Sequence, residues 1–334
     1  MRIIYSPSHQ IHVPPDEIVN GKPLPHQEIP DRVKNILMAL KQVGLKASQL
    51  SARIPDRLLK RVHNSDYLNF LKGTAQKLMP GEWIYPSVFN LRNGSLSNNE
   101  LARHGYFSFD MYTPLSRCTY QSALDSASVA YQIAVEVRTN KVNVGYALCR
   151  PPGHHAEKDQ MGGYCYLNNC AVAAEYLSQF GKVATLDLDF HHGNGTQHIF
   201  YERDDVLTVS IHADPNWKFP YFSGYRSEIG ENKGEGYNYN IPLSKGADDD
   251  RYQKALRGAL MHIYAYSPKY LVISLGLDTH VSDPIGGFGL TTDYYTEMAQ
   301  TIAALNLSTV IVQEGGYNTK MLGKNVVAFL KGYN

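Results

Sequence analysis

Apolar residues change their spacing along the chain near residue 142. Upstream of it, segments such as 31–43 carry apolar residues at the three- and four-residue intervals of an amphipathic helix. Downstream, short runs rich in Val, Ile and Leu are separated by further helical segments. These runs do not alternate with polar residues, which is typical of parallel strands buried on both faces. The pattern therefore predicts one doubly wound α/β sheet with helices on both faces.

The boundaries of the predicted elements come from this spacing and from stop signals such as Gly44 and Gly181. Strands are predicted at 2–5, 142–148, 183–190, 206–212, 271–277 and 310–313. Helices are predicted at 31–43, 66–78, 122–137, 168–180, 196–201, 248–266, 294–305 and 319–330. The chain has no internal repeat or interdomain linker, so a single domain over residues 1–334 is predicted. Residues 79–117 are irregular and contain several Pro and Gly, which is typical of a functional loop or an oligomer contact.

Composition narrows the classes of function. Of 334 residues, 32 are Lys or Arg and 31 are Asp or Glu, a formal net charge of +1. This balance argues against a nucleic-acid-binding protein, which should carry a basic stripe. The chain has no long uncharged apolar stretch and no apolar N-terminal signal segment, so we expect a cytoplasmic protein that does not bind membranes. The four cysteines lack a disulfide framework and are expected to be reduced core thiols.

Polar side chains follow four predicted strands at the points where the strands end. The motifs are RPPGHH at 150–155, DLDFHHGNG at 187–195, Asp278, and EGGY at 314–317. In an open parallel sheet, ligands bind outside the carboxyl ends of the strands. A structural protein has little reason to place charges there, because buried charges are costly unless they are paired or bind a metal. The four motifs therefore predict a functional site on one edge of the sheet.

Asp187, Asp189 and His191 lie two residues apart, so on a strand their side chains would share one face. A carboxylate with an imidazole suits Zn²⁺ or Fe²⁺ better than Mg²⁺ or Ca²⁺. Asp278 can supply a third ligand, which would complete the open three-ligand arrangement of catalytic zinc sites. The alternative is a helix-capping or salt-bridge role for the two aspartates at 187 and 189.

His154 and His155 follow a rigid Pro-Pro-Gly turn beside this predicted metal site. Because imidazole titrates near neutral pH, the pair suits acid–base catalysis. Tyr317 follows two glycines and can donate a hydrogen bond to an oxyanion. The alternatives are buried structural histidines and an ordinary core tyrosine. Together the groups predict metal-assisted hydrolysis of a carbonyl compound.

Four long motifs resemble those of the histone deacetylase superfamily, and among its branches the acetylpolyamine amidohydrolases. They are CRPPGHHAEKDQMGGYCYLNNCAVAA at 149–174, LDLDFHHGNGTQHIFYERDDV at 186–206, SLGLDTHVSDPIGGFGLT at 274–291 and QEGGYN at 313–318. The segments MRIIYSPSHQ and VHNSDYLNFL are also similar to this branch, so the resemblance covers nearly the whole chain. It implies the arginase–deacetylase fold, a parallel sheet of roughly eight strands with a metal at its carboxyl edge.

The resemblance also implies metal sites and catalytic roles. The implied zinc ligands are Asp189, His191 and Asp278, with Fe²⁺ as the alternative ion. Structural potassium is implied at two further sites, the first formed by Asp187, Asp189, His191, Ser210 and Ile211 and the second by carbonyls around Phe200, Arg203, Val206 and Tyr237. His155 corresponds to the general base and acid, His154 to its electrostatic partner and Tyr317 to the residue that polarises the substrate carbonyl. Asp187 and Asn194 correspond to the hydrogen-bond partners of the two histidines.

For the substrate, the resemblance implies small acetylated amines such as acetylputrescine, acetylcadaverine or acetylspermidine. The corresponding substrate-binding residues are Gly163, Tyr164, Phe222, Glu100 and Ile285, with the two aromatic residues as tunnel walls and Glu100 as the acidic group for the amine. A second acidic position of the relatives falls on Tyr112, with Asp110 two residues away. Residues 79–117 correspond to an insertion that builds a homodimer and narrows the entrance. Ile285 replaces the glutamate gatekeeper of a polyamine-selective relative.

Three functions remain open at this point. The first is deacetylation of acetylated polyamines or diamines, and the second is a broader acyl-lysine deacetylase acting on proteins or peptides. The third is a metal- or acetate-binding protein without catalysis, which the complete set of proposed catalytic residues argues against. A binuclear manganese ureohydrolase would need further carboxylate motifs that the sequence lacks.

Overall fold

Eight parallel strands form one central sheet. The structure is a computed structural model, and it describes residues 1–91 and 94–333. The strands in these ranges are β1 (Arg2–Tyr5), β2 (Asp16–Val19), β3 (Lys22–Pro25), β4 (Ala47–Gln49), β5 (Val144–Leu148), β6 (Val183–Asp187), β7 (Val206–Ala213), β8 (Asn238–Leu243), β9 (Tyr270–Leu275) and β10 (Ser308–Gln313). The order across the sheet is β4-β1-β5-β10-β9-β6-β7-β8, with parallel pairing throughout. β2 and β3 pair separately as an antiparallel hairpin.

Helices connect the strands, and four of those described begin at a side-chain cap. They are α1 (Asp31–Gln42), α2 (Asp56–Val62), α3 (Ser65–Lys77), α4 (Glu100–Tyr106), α5 (Thr119–Arg138), α6 (Asn169–Ser178), α7 (Asn194–Phe200), α8 (Asp249–Tyr266), α9 (Thr292–Ala303) and α10 (Thr319–Lys331). At the start of α6 the Asn168 side chain accepts the Ala171 N–H at 2.8 Å. At the start of α8 Asp248 accepts the Arg251 N–H at 3.0 Å. These contacts satisfy backbone donors that lack a partner within the helix.

The hydrophobic core lies on both faces of the sheet. Helices α1, α8, α9 and α10 bury apolar side chains against one face, and α2, α3, α5 and α6 do so against the other. The interior strand β6 is buried along its whole length, as expected for a strand covered by helices on both faces. The predicted fold class, a parallel α/β sheet with helices on both faces, is therefore confirmed.

Several elements differ from the sequence-based prediction. The strand predicted at 183–190 ends at Asp187, and the strand predicted at 271–277 ends at Leu275. The edge strand Asn238–Leu243 was not predicted, because its sequence NYNIPL mixes polar and apolar residues as an edge strand can. Helices α2 and α4 and the β2–β3 hairpin were also not predicted, since these elements are short and weakly patterned.

Residues 79–117 form a loop whose two ends lie together. The backbone groups of Ile84 and Leu115 exchange two hydrogen bonds, at 2.9 and 3.0 Å. Between them, α4 is the regular helix of the segment among its described residues. Such a closed base is compatible with an insertion, while its role in a dimer stays a prediction. Within the described residues, no helix is both long and apolar enough to cross a membrane.

Candidate active site

Four neighbouring strands carry the polar motifs to one edge of the sheet. β5, β10, β9 and β6 are adjacent in this order, so the residues that follow them are brought together. Asp189, His191 and Asp278 meet there, all buried, with donor atoms within 4.8 Å of one another. The Nδ1 atom of His191 lies 3.0 Å from Asp278 Oδ2 and 3.4 Å from Asp189 Oδ1. The topology thus places the three predicted metal ligands in one cluster.

The turn after β6, rather than strand alternation, brings two of these side chains together. The strand ends at Asp187, so the one-face argument used in the sequence prediction does not hold for Asp189 and His191. Instead, Asp187 Oδ1 accepts the Asp189 N–H at 3.0 Å, and Asp189 Oδ1 accepts the His191 N–H at 2.8 Å. Each aspartate thereby closes a local turn with the residue two positions on. The DxDxH spacing therefore encodes two consecutive Asx turns.

Gly315 lets the chain after β10 pass directly against this cluster. Its N–H donates to Asp189 Oδ2 at 2.8 Å. A Cβ atom at this position would lie 2.5 Å from Asp189 Oδ2 and 2.7 Å from Asp278 Oδ2, closer than real Cβ contacts. The absence of a side chain is therefore required for the close approach.

The donor set fits a divalent transition-metal ion. Burial and the neighbouring Asp189 raise the pKa of Asp278 to about 7, because buried carboxylates repel one another. A cation among Asp189, Asp278 and His191 would offset this repulsion. Two carboxylates with one imidazole suit Zn²⁺ or Fe²⁺ better than Mg²⁺ or Ca²⁺, which prefer shells of oxygen alone.

His154 is held as a cation beside this cluster. Its Nδ1 lies 2.9 Å from Asp187 Oδ2, and its Nε2 lies 3.8 Å from Asp189 Oδ1. Burial lowers the pKa of His154, but Asp189 and Asp187 outweigh burial and raise it to about 10. Glu314 accepts the N–H groups of Gly153 and His154 at 2.6 and 3.2 Å, which positions the turn that carries the histidine.

His155 has the opposite electrostatic character. Burial and the adjacent His154 lower the pKa of His155 well below its usual value. Its Nδ1 lies 2.7 Å from Asn194 Oδ1, while Asn194 Nδ2 donates to Glu157 at 2.8 Å. Because the glutamate fixes the orientation of the amide, His155 Nδ1 must carry the hydrogen, and Nε2 is left with a lone pair. The residue therefore has the charge and tautomer of a base.

Tyr317 is positioned by buried charges behind the site. Arg32 donates to the carbonyls of Gly316, at 2.7 Å, and Glu314, and its guanidinium lies 4.8 Å from the centre of the Tyr317 ring. Glu28 in turn accepts Arg32 Nη1 at 2.8 Å and Arg150 Nε at 2.8 Å, with all three side chains buried. One carboxylate thus balances two guanidinium groups that hold the backbone around the site.

Replacing Glu28 by alanine should destabilise the protein by about 3–5 kcal/mol, because Arg32 and Arg150 would be left as unpaired buried cations. The free energy of unfolding from urea titration measures this effect. Lys34→Ala is the control, since Lys34 pairs with Asp31 at an exposed position and its loss should cost less than about 1 kcal/mol. A Glu28→Ala protein as stable as the wild type would contradict the assignment.

A pocket of about 240 Å³ opens onto these groups. It is lined by Glu17, Val19, Tyr112, His155, Gly163, Tyr164, His191, Lys218, Phe219, Tyr221, Ile285 and Tyr317. Gly163 is needed where it lies, because a Cβ atom there would fall 2.2 Å from His155 Cδ2. Among the predicted substrate-binding residues, Gly163, Tyr164 and Ile285 line this pocket.

Phe222 does not line the pocket, contrary to the sequence prediction. Its side chain is 92% exposed, whereas Phe219 places its ring 5.0 Å from that of His155. The segment KFPYF offers three aromatic residues within four positions, and their spacing does not distinguish them. Phe219, which lines the pocket together with Tyr164, is therefore the second aromatic wall.

The acidic residue that lines the pocket was not among the predicted residues. The side chain of Glu100 lies outside the described residues. Asp110 is occupied by structural hydrogen bonds, since it accepts from the backbone of Gly163 and Tyr112 and from the Thr113 hydroxyl. The carboxylate that lines the pocket is Glu17, on the β2–β3 hairpin, which the sequence analysis missed. No local motif marks it, because long-range packing alone brings the hairpin to the pocket.

The predicted potassium sites stay predictions. Ser210 is the register partner of Asp187 on the neighbouring strand, which is compatible with a shared ion. Its hydroxyl lies 2.7 Å from His212 Nδ1. For the second site, Tyr237 O already accepts the Thr208 N–H at 2.9 Å, although a carbonyl has a second lone pair. Phe200 O likewise accepts the Arg203 N–H at 3.0 Å.

Comparisons with known proteins agree with this geometry. A family model described as "Histone deacetylase domain" matches residues 26–333. Acetylpolyamine amidohydrolase 1 of Pseudomonas aeruginosa is 41% identical over 100% of this chain and 99% of its own length. The acetylpolyamine amidohydrolase of Mycoplana ramosa is 39% identical over 99% of both chains. The crystal structure of an acetylpolyamine aminohydrolase from Burkholderia pseudomallei superposes with a TM-score of 0.95 at 36% identity, covering 100% of this chain and 98% of that one.

Proposed function

Since the chain belongs to the histone deacetylase family, we propose that it uses a divalent metal ion to hydrolyse the acetyl amide of small acetylated amines. The proposal depends on one structural observation. The cluster of Asp189, His191 and Asp278 lies at a pocket that also holds a neutral His155 and the Tyr317 phenol. These are the groups that amide hydrolysis requires: a Lewis-acid site, a base and an oxyanion donor. The relatives from Pseudomonas aeruginosa and Mycoplana ramosa described above are, by their names, acetylpolyamine amidohydrolases.

The reaction follows from the charge and tautomer of each side chain. A divalent ion held by the three ligands would polarise the acetyl carbonyl and increase the acidity of a water molecule beside it. His155 Nε2 takes a proton from water as the water oxygen bonds to the carbonyl carbon. The Tyr317 hydroxyl donates to the developing oxyanion, and the cationic His154 stabilises the same charge. The C–N bond then breaks, His155 returns the proton to the amine, and acetate and the free amine leave.

The substrate class is supported by the pocket and by the names of the relatives. Glu17 is the carboxylate of the pocket lining in the described part of the chain, and the Tyr164 hydroxyl donates to its Oε2. Its second oxygen has no hydrogen-bond partner among the described residues and can accept from the distal ammonium of an acetylated diamine. Zinc as the resident ion, structural potassium, a homodimer and a cytoplasmic location belong to the same proposal.

The experiment that tests the proposal compares kcat/KM for N-acetylputrescine, N-acetylcadaverine and acetylspermidine with that for acetyl-lysine peptides. Small amines are expected to be hydrolysed with higher kcat/KM than every peptide, and chelation of the metal should abolish acetate release. Glu17→Gln should lower kcat/KM for the cationic amines about tenfold or more, mainly through KM, because a charge-assisted hydrogen bond is lost.

Two controls make this result specific. The neutral amide N-butylacetamide has no distal cation, so its kcat/KM should not change in Glu17→Gln. Glu202→Gln replaces an exposed glutamate and should leave all substrates unaffected. Peptides that are hydrolysed faster than every small amine would favour the broader acyl-lysine deacetylase, and no acetate release from any substrate would contradict catalysis itself.

A further inference from the structure

A lysine lines the same pocket as Glu17, and the proposed reaction does not use it. Lys218 is half-buried, and its Nζ donates to the carbonyl of Ile285 at 2.6 Å. The ammonium also lies 5.4 Å from the centre of the Phe190 ring. Because Phe219, the next residue, faces His155, the lysine is held beside the aromatic wall of the pocket.

The ammonium of Lys218 has hydrogen-bonding capacity left over. It carries three N–H groups, and the Ile285 carbonyl is its hydrogen-bond acceptor among residues 1–91 and 94–333. Burial lowers the pKa of Lys218, an effect that Asp278 and Asp283 oppose. Asp278 lies against His191 instead, and Asp283 accepts the backbone N–H of Tyr317. The lysine therefore presents a partly desolvated cation with free donors.

The pocket therefore carries a carboxylate on one wall and an ammonium group on another. Glu17 is attached to the wall formed by Tyr164, because the tyrosine hydroxyl donates to its carboxylate. Lys218 is attached to the wall formed by Phe219 and Ile285. An acetylated diamine offers one distal cation, which would satisfy the carboxylate and be repelled by the ammonium. A substrate whose distal end also carries a carboxylate would offer Lys218 an anionic partner.

We propose that Lys218 is a specificity-determining residue that binds the carboxylate of acetylated diamino acids. The inference rests on the proposed deacetylase function and extends its substrates beyond simple acetyldiamines. Ile285 contacts the lysine through its backbone carbonyl, and its own side chain is uncharged. The charge on this side of the pocket therefore comes from Lys218.

Two pairs of substrates, which differ within each pair by one carboxylate, test the role of Lys218. Nδ-acetyl-L-ornithine differs from N-acetylputrescine by one carboxylate, and Nε-acetyl-L-lysine differs from N-acetylcadaverine in the same way. In the wild type, each diamino acid is expected to be hydrolysed with kcat/KM at least equal to that of its decarboxylated partner. In Lys218→Met, the ratio of the two kcat/KM values should fall about ten- to a hundredfold, the range for loss of a charge-assisted hydrogen bond.

The ratio is independent of how much of the enzyme folds, because both substrates are assayed on the same preparation. Lys245→Met is the control for long-range charge: Lys245 is exposed, interacts electrostatically with Lys218 and does not line the pocket, so the ratio should stay within about twofold. The α-carboxamide of Nδ-acetylornithine should behave like N-acetylputrescine in every variant.

The possible outcomes separate the two proposals. If N-acetylputrescine is hydrolysed and the Lys218→Met ratio equals that of the wild type, the role of Lys218 is wrong while the deacetylase proposal stands. If a diamino acid is hydrolysed much more slowly than its partner by the wild type, the role of Lys218 is also wrong. If neither substrate of either pair releases acetate, the proposed function itself fails.

Discussion

Tyr317→Phe is expected to lower kcat about 10²–10³-fold, the cost of removing one donor to an oxyanion. The phenol lines the pocket with His155 and His191, so it can reach the acetyl carbonyl. Burial raises the pKa of Tyr317 well above its usual value, so the hydroxyl keeps its proton. The ring should keep its position without the hydroxyl, because Arg32 packs over its face at 4.8 Å. The backbone N–H of residue 317 also donates a hydrogen bond to Asp283.

This effect should appear in kcat rather than in KM, because the donor is needed mainly as charge develops on the oxygen. Metal content by mass spectrometry should be unchanged, since Tyr317 is not among the three ligands. Tyr264→Phe removes a phenol that is 79% exposed and should keep wild-type kinetics. Near-wild-type kcat in a metal-loaded Tyr317→Phe protein would rule out the oxyanion role.

The central part of the fold could be predicted because its strands are buried on both faces. β6, β7 and β9 are buried at every residue and rich in Val, Leu and Ile, and this apolar content identifies them. The edge strand Asn238–Leu243 and the β2–β3 hairpin lack such a signal, since the edge strand mixes polar with apolar residues and every residue of β3 is exposed. The sheet order, which places β5, β10, β9 and β6 side by side, follows from long-range pairing and cannot be deduced from local patterns.

The candidate site was likewise predicted only in part. The cluster of Asp189, His191 and Asp278 was predicted from short motifs, although the two Asx turns rather than strand alternation explain it. Two pocket residues that come from other segments were missed or misplaced, although Gly163, Tyr164 and Ile285 were predicted. Glu17 arrives on a separate hairpin, and Phe219 faces inward where Phe222 was predicted. Local motifs encode chemistry close to one strand end, whereas specificity is assembled from distant segments.

Asp278→Asn is expected to abolish high-affinity metal binding and, with it, acetate release. The variant keeps the shape of the side chain. Its Oδ1 can still accept the Phe190 N–H, which donates to Asp278 Oδ1 at 3.0 Å in the wild type. The variant loses one of the two carboxylate ligands in the proposed set of three metal ligands. Loss of a mere hydrogen-bond partner of a metal ligand already costs about 10- to 100-fold in affinity, so loss of a ligand should weaken Zn²⁺ binding by at least about 100-fold.

The measurement is a Zn²⁺ titration of metal-free protein, read by calorimetry and by the melting temperature. Zn²⁺ should raise the melting temperature of the wild type and not that of Asp278→Asn, because an ion that binds the folded state stabilises it. Asp204→Asn, at an exposed position, is the matched control and should bind Zn²⁺ like the wild type. If Asp278→Asn binds Zn²⁺ with wild-type affinity, the proposed ligand set is wrong. If it loses the metal but still releases acetate at the wild-type rate, the reaction does not depend on this site.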